Sequence, residues 1–174
     1  MTKALGASIH ASAVLVGDRA VLIRGPSGAG KSHLAFDLIL AGRSGQIPQA
    51  VLVGDDRVHL ETNGGQLMVR PARELAGLIE IRGLGIRRCD FTDEAIVGLV
   101  IDLNAPDAER LPTLEALSTR ICGIIIPRIP VGTGYAALPL AIGALTMTAS
   151  SSSSHPSGDC SKGIGNHISR TLAE

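Results

Sequence analysis

The sequence predicts an α/β domain, with a phosphate-binding loop (P-loop) set in a mixed β-sheet, and three patterns carry that reading. An apolar run, Ala20-Val21-Leu22-Ile23, leads into a glycine-rich turn, and a helix-like stretch, His33–Leu40, leads out of it. Two further apolar runs, Ala50–Val53 and Ala95–Leu103, carry aspartates at or near their carboxyl ends, where open α/β sheets place their ligand chemistry. Between them, Arg57–Glu61 and Gln66–Arg70 alternate apolar with polar around Asn63-Gly64-Gly65, the pattern of a β-hairpin. A hairpin makes the sheet mixed rather than purely parallel.

Taken in order, Ser8–Val16 reads as the first strand and holds His10, which by itself is as ordinary a core histidine as a functional one. Gly17-Asp18 is a turn, and Ala20–Ile23 is the strand entering the loop. After Lys31, Leu34, Leu38 and Ile39 share a helical face, Phe36 packs, and Gly42 is the expected stop. Leu78–Arg82 is a further strand, followed by Gly83-Leu84-Gly85-Ile86-Arg87-Arg88. Arg57, Arg70, Arg73, Arg82, Arg87 and Arg88 face only Glu61, Glu74 and Glu80 over this part of the chain. That local basic excess is either a solvated face or a meeting place for an anionic partner. Asn104-Ala105-Pro106 breaks the chain, and Leu114–Leu117 is a short helix or a connection. Cys122–Ile126 is a strand closed by Pro127 and Pro130, and Ala136–Met147 has helix composition interrupted by Pro139 and Gly143.

Composition bounds the rest. The 174 residues suit one domain, read as residues 1–149. A serine run from Ser150 opens a stretch, residues 150–174, with too little apolar surface to offset its ordering entropy, so it is expected to be a disordered tail. Hydrophobic residues make up 45% and the formal net charge is zero, which describes a globular chain without the basic excess of a nucleic-acid binder. Aromatics are 2% (Phe36, Phe91 and Tyr135, no Trp), so a stacking platform for nucleic-acid bases is hard to build and the core must be aliphatic. Cys89, Cys122 and Cys160 are far apart and form no C-x-x-C, as free thiols of a reducing compartment do. Pro139 cuts the best apolar stretch, so no membrane span is expected. Ala11-Ser12-Ala13 mimics a signal-peptide cleavage site, but the stretch before it is short and carries His10. The expected location is the cytoplasm.

The chemistry centres on Gly25-Pro26-Ser27-Gly28-Ala29-Gly30-Lys31-Ser32, a G-x-x-x-x-G-K-S turn between a strand and a helix. Glycines let consecutive backbone N–H groups turn toward one phosphate, and the following helix starts with unpaired N–H groups and a positive dipole end. Lys31 can reach the β- and γ-phosphates of a nucleoside triphosphate, and the Ser32 hydroxyl can take a Mg²⁺ position. Asp55 and Asp102 are rivals for the carboxylate on the metal side.

Four pieces stand together in one order: Ile9-His10, the Gly25–Ser32 loop, Leu52-Val53-Gly54-Asp55-Asp56, and Glu80-Ile81-Arg82-Gly83-Leu84-Gly85-Ile86. With these the chain resembles the catalytic domain of HPr kinase/phosphorylase over roughly residues 5 to 135, in the short form that lacks the N-terminal domain. The E-I-R-G-L-G-I stretch is that family's signature. The resemblance implies a fold similar to the phosphoenolpyruvate carboxykinase core and a hexameric homo-oligomer. It implies ATP-dependent phosphorylation of a serine on HPr, the small phosphocarrier of the phosphotransferase system. It also implies the reverse reaction, in which inorganic phosphate attacks phosphoserine and pyrophosphate forms. Carried onto this chain, Lys31 and the loop hold the phosphates of ATP, and Ser32 holds Mg²⁺ with Asp56 or Glu80. Asp55 is then the candidate base, preferred to Asp102. His10 would pair with Asp55, and Arg82 would face the transferring phosphoryl group or the signature loop's own carboxylates.

Two positions depart from the pattern. His33 stands where most relatives carry an acidic residue, which bears on metal binding and on the balance of the two directions. The basic loop that serves the reverse reaction is poorly matched by Pro127–Gly134, with Arg128 its nearest candidate. Two other classes use the same loop: a small-molecule or carboxykinase-like kinase, and a non-catalytic ATP sensor that signals through the arginine-rich segment.

Overall fold

The structure, a computed structural model, describes residues 7–148; the expected tail at 150–174 lies outside the described residues. The described residues form a nine-stranded mixed sheet, a separate two-stranded hairpin and two helices. The first strands are β1 (Ala7–Ile9), β2 (Ser12–Val16) and β3 (Arg19–Arg24), followed by helix α1 (Lys31–Arg43) and β4 (Ala50–Gly54). Then come β5 (Val58–Asn63), β6 (Gln66–Pro71), β7 (Leu78–Ile81), β8 (Gly85–Arg88) and β9 (Ala95–Leu103). Strands β10 (Ser118–Ile121) and β11 (Ile124–Val131) and helix α2 (Ala137–Thr146) complete it.

The strand order β1-β5-β6-β9-β3-β2-β4 threads through β9, whose nine residues also pair with β11. Only β3–β9 and β9–β11 are parallel; the other pairings are antiparallel, so the sheet is mixed as expected. Alternation along the central strands divides the core. Val21, Ile23, Ile101 and Leu103 face α1, meeting Leu34 and Leu38, which are 3% and 0% exposed. Leu22 and Val100 face the other way, onto Val58, Leu60, Leu67 and Val69 from the β5–β6 hairpin. Burying each large aliphatic side chain contributes about 1.5–3 kcal/mol, so a core with almost no aromatic rings is sufficient.

Several sequence expectations change. Ser8–Val16 is two strands, and His10 lies in the bend between them rather than inside a strand. Gly42 does not stop α1 but belongs to it. A Cβ there would lie 2.7 Å from both the Cβ and the amide nitrogen of Ala50, so the residue is glycine for close helix–strand approach. Pro127 and Pro130 lie inside β11 instead of closing it, and the polar stretch Ser118–Ile121 is a strand that pairs with it. Leu114–Leu117 is a turn. Helix α2 runs uninterrupted through Gly143 and also holds Pro139, which occupies the first turn, where a backbone N–H has no helical partner to lose.

Candidate active site

The glycine-rich turn joins the carboxyl end of β3 to α1. Gly30 is the N-cap of α1 with φ 97°, a left-handed conformation that side chains resist, and no side chain caps the helix. The first-turn amides are thus left to whatever the loop encloses. The loop's start is fixed against the sheet: a Cβ on Gly25 would lie 3.0 Å from both the Cβ and the carbonyl oxygen of Leu103. Lys31 is 6% exposed, and its ammonium donates to the carbonyls of Gly25 (3.0 Å) and Pro26 (3.1 Å).

Immediately after β4, Asp55 is 3% exposed, and its carboxylate is held by three donors. Oδ1 accepts from the Ser12 hydroxyl at 2.5 Å and from the Ser32 hydroxyl at 2.9 Å, while Oδ2 accepts from the Glu80 backbone N–H at 3.1 Å. Without them burial of the charge would be prohibitive. Ser12, itself 0% exposed, is a site residue that the sequence reading missed. Its signal was a single hydroxyl on an otherwise apolar strand.

Asp56 behaves differently. Its φ of 64° places it in the left-handed region, uncommon outside glycine and frequent at functional sites. Its side chain is 65% exposed and bonds His10 Nε2 at 2.7 Å. His10 therefore pairs with Asp56 and not, as expected, with Asp55. The buried carboxylate is already occupied by two hydroxyls and an amide, and the left-handed turn presents the second carboxylate to the histidine.

A pocket of about 560 Å³ joins these parts. Ser27, Gly28, Gly30, Lys31 and Ser32 line it from the loop, His33 from the helix, and His10 and Asp56 from the strand ends. Glu80 and Arg82 enter from the β7–β8 hairpin, a separate two-stranded unit. The hairpin is moored by Ile79, 2% exposed, by the Cys89 N–H to Gly77 carbonyl bond (2.9 Å) and by the Thr92 N–H to Leu52 carbonyl bond (2.9 Å). Gly25, Pro26 and Ala29 belong to the loop's frame. Of the basic excess, Arg82 faces the pocket, whereas Arg70 is taken by Glu61 (2.9 Å) and Glu94 (2.6 Å).

Arg128 is not brought into this pocket. Its Nε donates to Asp102 at 2.5 Å, and its two terminal nitrogens donate to Asp107 at 2.6 and 2.9 Å. Asp102 also receives both Nε and a terminal nitrogen of Arg24, each at 2.7 Å. Burial would raise the Asp102 pKa, but the hydrogen bonds from Arg24 and Arg128 outweigh it and hold the carboxyl below the usual range. The Arg128 guanidinium is correspondingly held charged by Asp107 and Asp102, with burial opposing. Asp102 thus ties β3, β9 and β11 together, whereas Ser32 is bonded to Asp55.

The model of the HPr serine kinase C-terminal domain matches residues 2–144. HPr kinase/phosphorylase of Prosthecochloris aestuarii is 32% identical over 139 residues, covering 72% of this chain and 38% of the relative. That of Mycoplasma mycoides subsp. mycoides is 39% identical over 139 residues, covering 72% and 42%. The chain thus spans about two fifths of the length of these curated relatives. The solved structure of the Hpr(Ser) kinase/phosphatase from Coxiella burnetii superimposes with a TM-score of 0.63 at 30% identity, over 80% of this chain and 93% of that one. With the signature hairpin, Asp56 and the glycine-rich loop on one pocket, and the family's model running through nearly all the described residues, the chain belongs to the HPr serine kinase C-terminal domain family.

Proposed function

We propose that this chain carries the phosphoryl-transfer site of an ATP-dependent kinase that phosphorylates a serine of an HPr-type phosphocarrier protein. The same site would run the reverse reaction, in which inorganic phosphate takes the phosphoryl group and pyrophosphate leaves. The observation that carries this reading is the Ser32–Asp55 hydrogen bond at 2.9 Å, which joins the glycine-rich loop to the aspartate pair, beneath the pocket that Ser32 and Asp56 line. Phosphoryl transfer needs positioning and charge neutralisation more than covalent help. Lys31 would exchange its two loop carbonyls for phosphate oxygens, and the free first-turn amides of α1 would take the remaining charge.

The two aspartates divide the remaining roles, in an order opposite to the one expected from the resemblance. Asp55, buried against the Ser32 hydroxyl, suits the metal side. Asp56, exposed to the pocket and steadied by His10, suits the proton acceptor for an incoming serine hydroxyl. Transfer then forms the serine O–P bond as the bond to ADP breaks, and the hydroxyl proton passes to Asp56. Glu80 and Arg82 flank the transferring group; Arg82 offsets its charge, and Glu80 is a second carboxylate for the metal.

Among the described residues, no group of three His, Cys, Asp or Glu side chains could hold a metal ion alone. That fits Mg²⁺, which is commonly held by one or two carboxylates, water and substrate phosphates rather than by an all-protein cage. When bound, Mg²⁺ neutralises charge on the β- and γ-phosphates. Among the described residues no helix is long and apolar enough to cross a membrane. The cytoplasmic location, the hexamer and the likeness to the carboxykinase core belong to this reading as the family resemblance implies them.

The test is incubation with ATP, Mg²⁺ and purified HPr, followed by mass spectrometry, then repetition on phospho-HPr with excess phosphate. Phosphoserine on HPr, and pyrophosphate in the second arm, are the expected products. ATP binding without transfer to HPr would overturn the substrate assignment, and absence of pyrophosphate would remove the reverse activity alone.

A further inference from the structure

Beside the phosphate-loop pocket lies a second groove, of about 270 Å³, between the start of α1 and the segment joining β11 to α2. The two cavities share Gly30 and His33, so one leads into the other around the first turn of the helix. The groove is lined on one side by Ala29, Leu34 and Asp37 and on the other by Leu103, Asn104 and Tyr135. Tyr135 is the only tyrosine in the chain and is 75% exposed. Its ring lies over Gly132: a Cβ built there would be 3.2 Å from the ring edge, and the Tyr135 N–H closes a turn on the Gly132 carbonyl at 3.1 Å. A planar ring is thus held at the mouth of the groove by a turn that a larger residue at position 132 would obstruct. Asn104, in the left-handed region at φ 56°, adds a carboxamide next to it.

From these features we infer that the groove is the nucleoside subsite of the triphosphate site, with Tyr135 stacking on the base and Asn104 meeting its hydrogen-bonding edge. The inference rests on the phosphate-loop reading above. It follows from direction. Acidic and basic side chains (Asp56, Glu80, Arg82) crowd the far side of the loop, where the terminal phosphate must meet its acceptor. The nucleoside end must therefore leave past Gly30 and His33, and the groove that begins there has mostly apolar walls, the Tyr135 ring and the Asn104 amide, with Asp37 its one carboxylate and 3.4 Å from His33, a composition that suits a heterocyclic base with hydrogen-bonding edges. The subsite is shallow and open, so base selectivity is modest and the phosphates supply most of the affinity.

Calorimetric titration of ATP and of inorganic tripolyphosphate, each with Mg²⁺, into wild type, Tyr135→Ala and Tyr135→Phe tests this. Stacking of a base on an aromatic ring is worth about 1–3 kcal/mol, so Tyr135→Ala should weaken ATP by about 5-fold to 150-fold. Tripolyphosphate affinity should be unchanged, and Tyr135→Phe should bind ATP as wild type does. ATP affinity unaffected by Tyr135→Ala, or ATP and tripolyphosphate weakened equally, would overturn the subsite. Failure of wild type to bind either ligand would instead overturn the phosphate-loop reading on which it stands. Because Tyr135 is exposed, thermal melts of the variants should match wild type, separating lost stacking from lost fold.

Discussion

Replacing Asp55 separates its structural part from its chemical part. In Asp55→Ala, the Ser12 hydroxyl (0% exposed) and the Glu80 N–H lose their acceptor in the interior, and Ser32 loses its partner. Leaving a buried donor unsatisfied costs about 1–3 kcal/mol, so the variant should lose about 3–5 kcal/mol in urea unfolding. In Asp55→Asn the shape is kept. The amide oxygen can accept from Glu80 N–H while the NH₂ donates to the two hydroxyls, whose own hydrogens rotate away; the loss should be only about 1–2 kcal/mol. The asparagine variant should nevertheless lose the metal-side charge. Its Mg²⁺-dependent gain in ATP affinity should fall by about 10-fold to 100-fold, the scale on which groups supporting a metal site act, while Mg²⁺-free nucleotide binding changes little. Equilibrium unfolding and titration of ATP with and without Mg²⁺ read the two parts separately. If Asp55→Ala unfolds within 1 kcal/mol of wild type, the three-donor cradle is wrong. If Asp55→Asn keeps the full Mg²⁺ effect, the metal-side role is wrong even though the cradle is right.

Asp56→Asn should lower kcat for HPr phosphorylation by about 10²–10⁴-fold with ATP affinity retained, and His10→Ala should lower it less; a fully active Asp56→Asn would return the proton acceptor to Asp55. Gly42→Ala gains about 1 kcal/mol of helix propensity but places a methyl 2.7 Å from Ala50, and overpacking costs about 1–3 kcal/mol. A lowered melting temperature is expected, and a raised one would refute the close packing. For Asp102, the folded pKa lies below the unfolded one, so its contribution to stability is present above pH about 4 and is lost as pH falls through the folded value. Asp102→Asn, which leaves Arg24 and Arg128 without their shared carboxylate, should be less stable at pH 7 by about 2–3 kcal/mol. Its stability should also fall less steeply than that of wild type below pH 4; parallel acid limbs would refute the linkage.

Local patterns carried most of the fold. The period-two runs, the Gly64-Gly65 turn and the spacing of Leu34 and Leu38 depend on neighbours within a few residues, and those elements lie where expected. The errors arose where a local rule met a distant partner. Gly42 reads as a helix stop because nothing nearby shows Ala50 pressed against it. Pro127 and Pro130 read as strand ends because pairing with β10 and β9 is invisible along the chain. Ser118–Ile121 lacks the apolar signal of a strand, and its order comes from the hairpin it makes with β11.

By itself the sequence determined the chemistry available: a glycine-rich loop ending in Lys31-Ser32, two adjacent acids after a buried strand, and a signature segment that brings Glu80 and Arg82. Only the tertiary structure decided how those groups are shared out. It buried Asp55 under Ser12 and Ser32, turned Asp56 outward onto His10, and spent Arg128 on Asp102 and Asp107. The physical reason is that identity and spacing fix which donors and acceptors exist, whereas burial and hydrogen-bond geometry fix which of them meet. Those depend on pairings between residues such as Ser12 and Asp55, 43 positions apart.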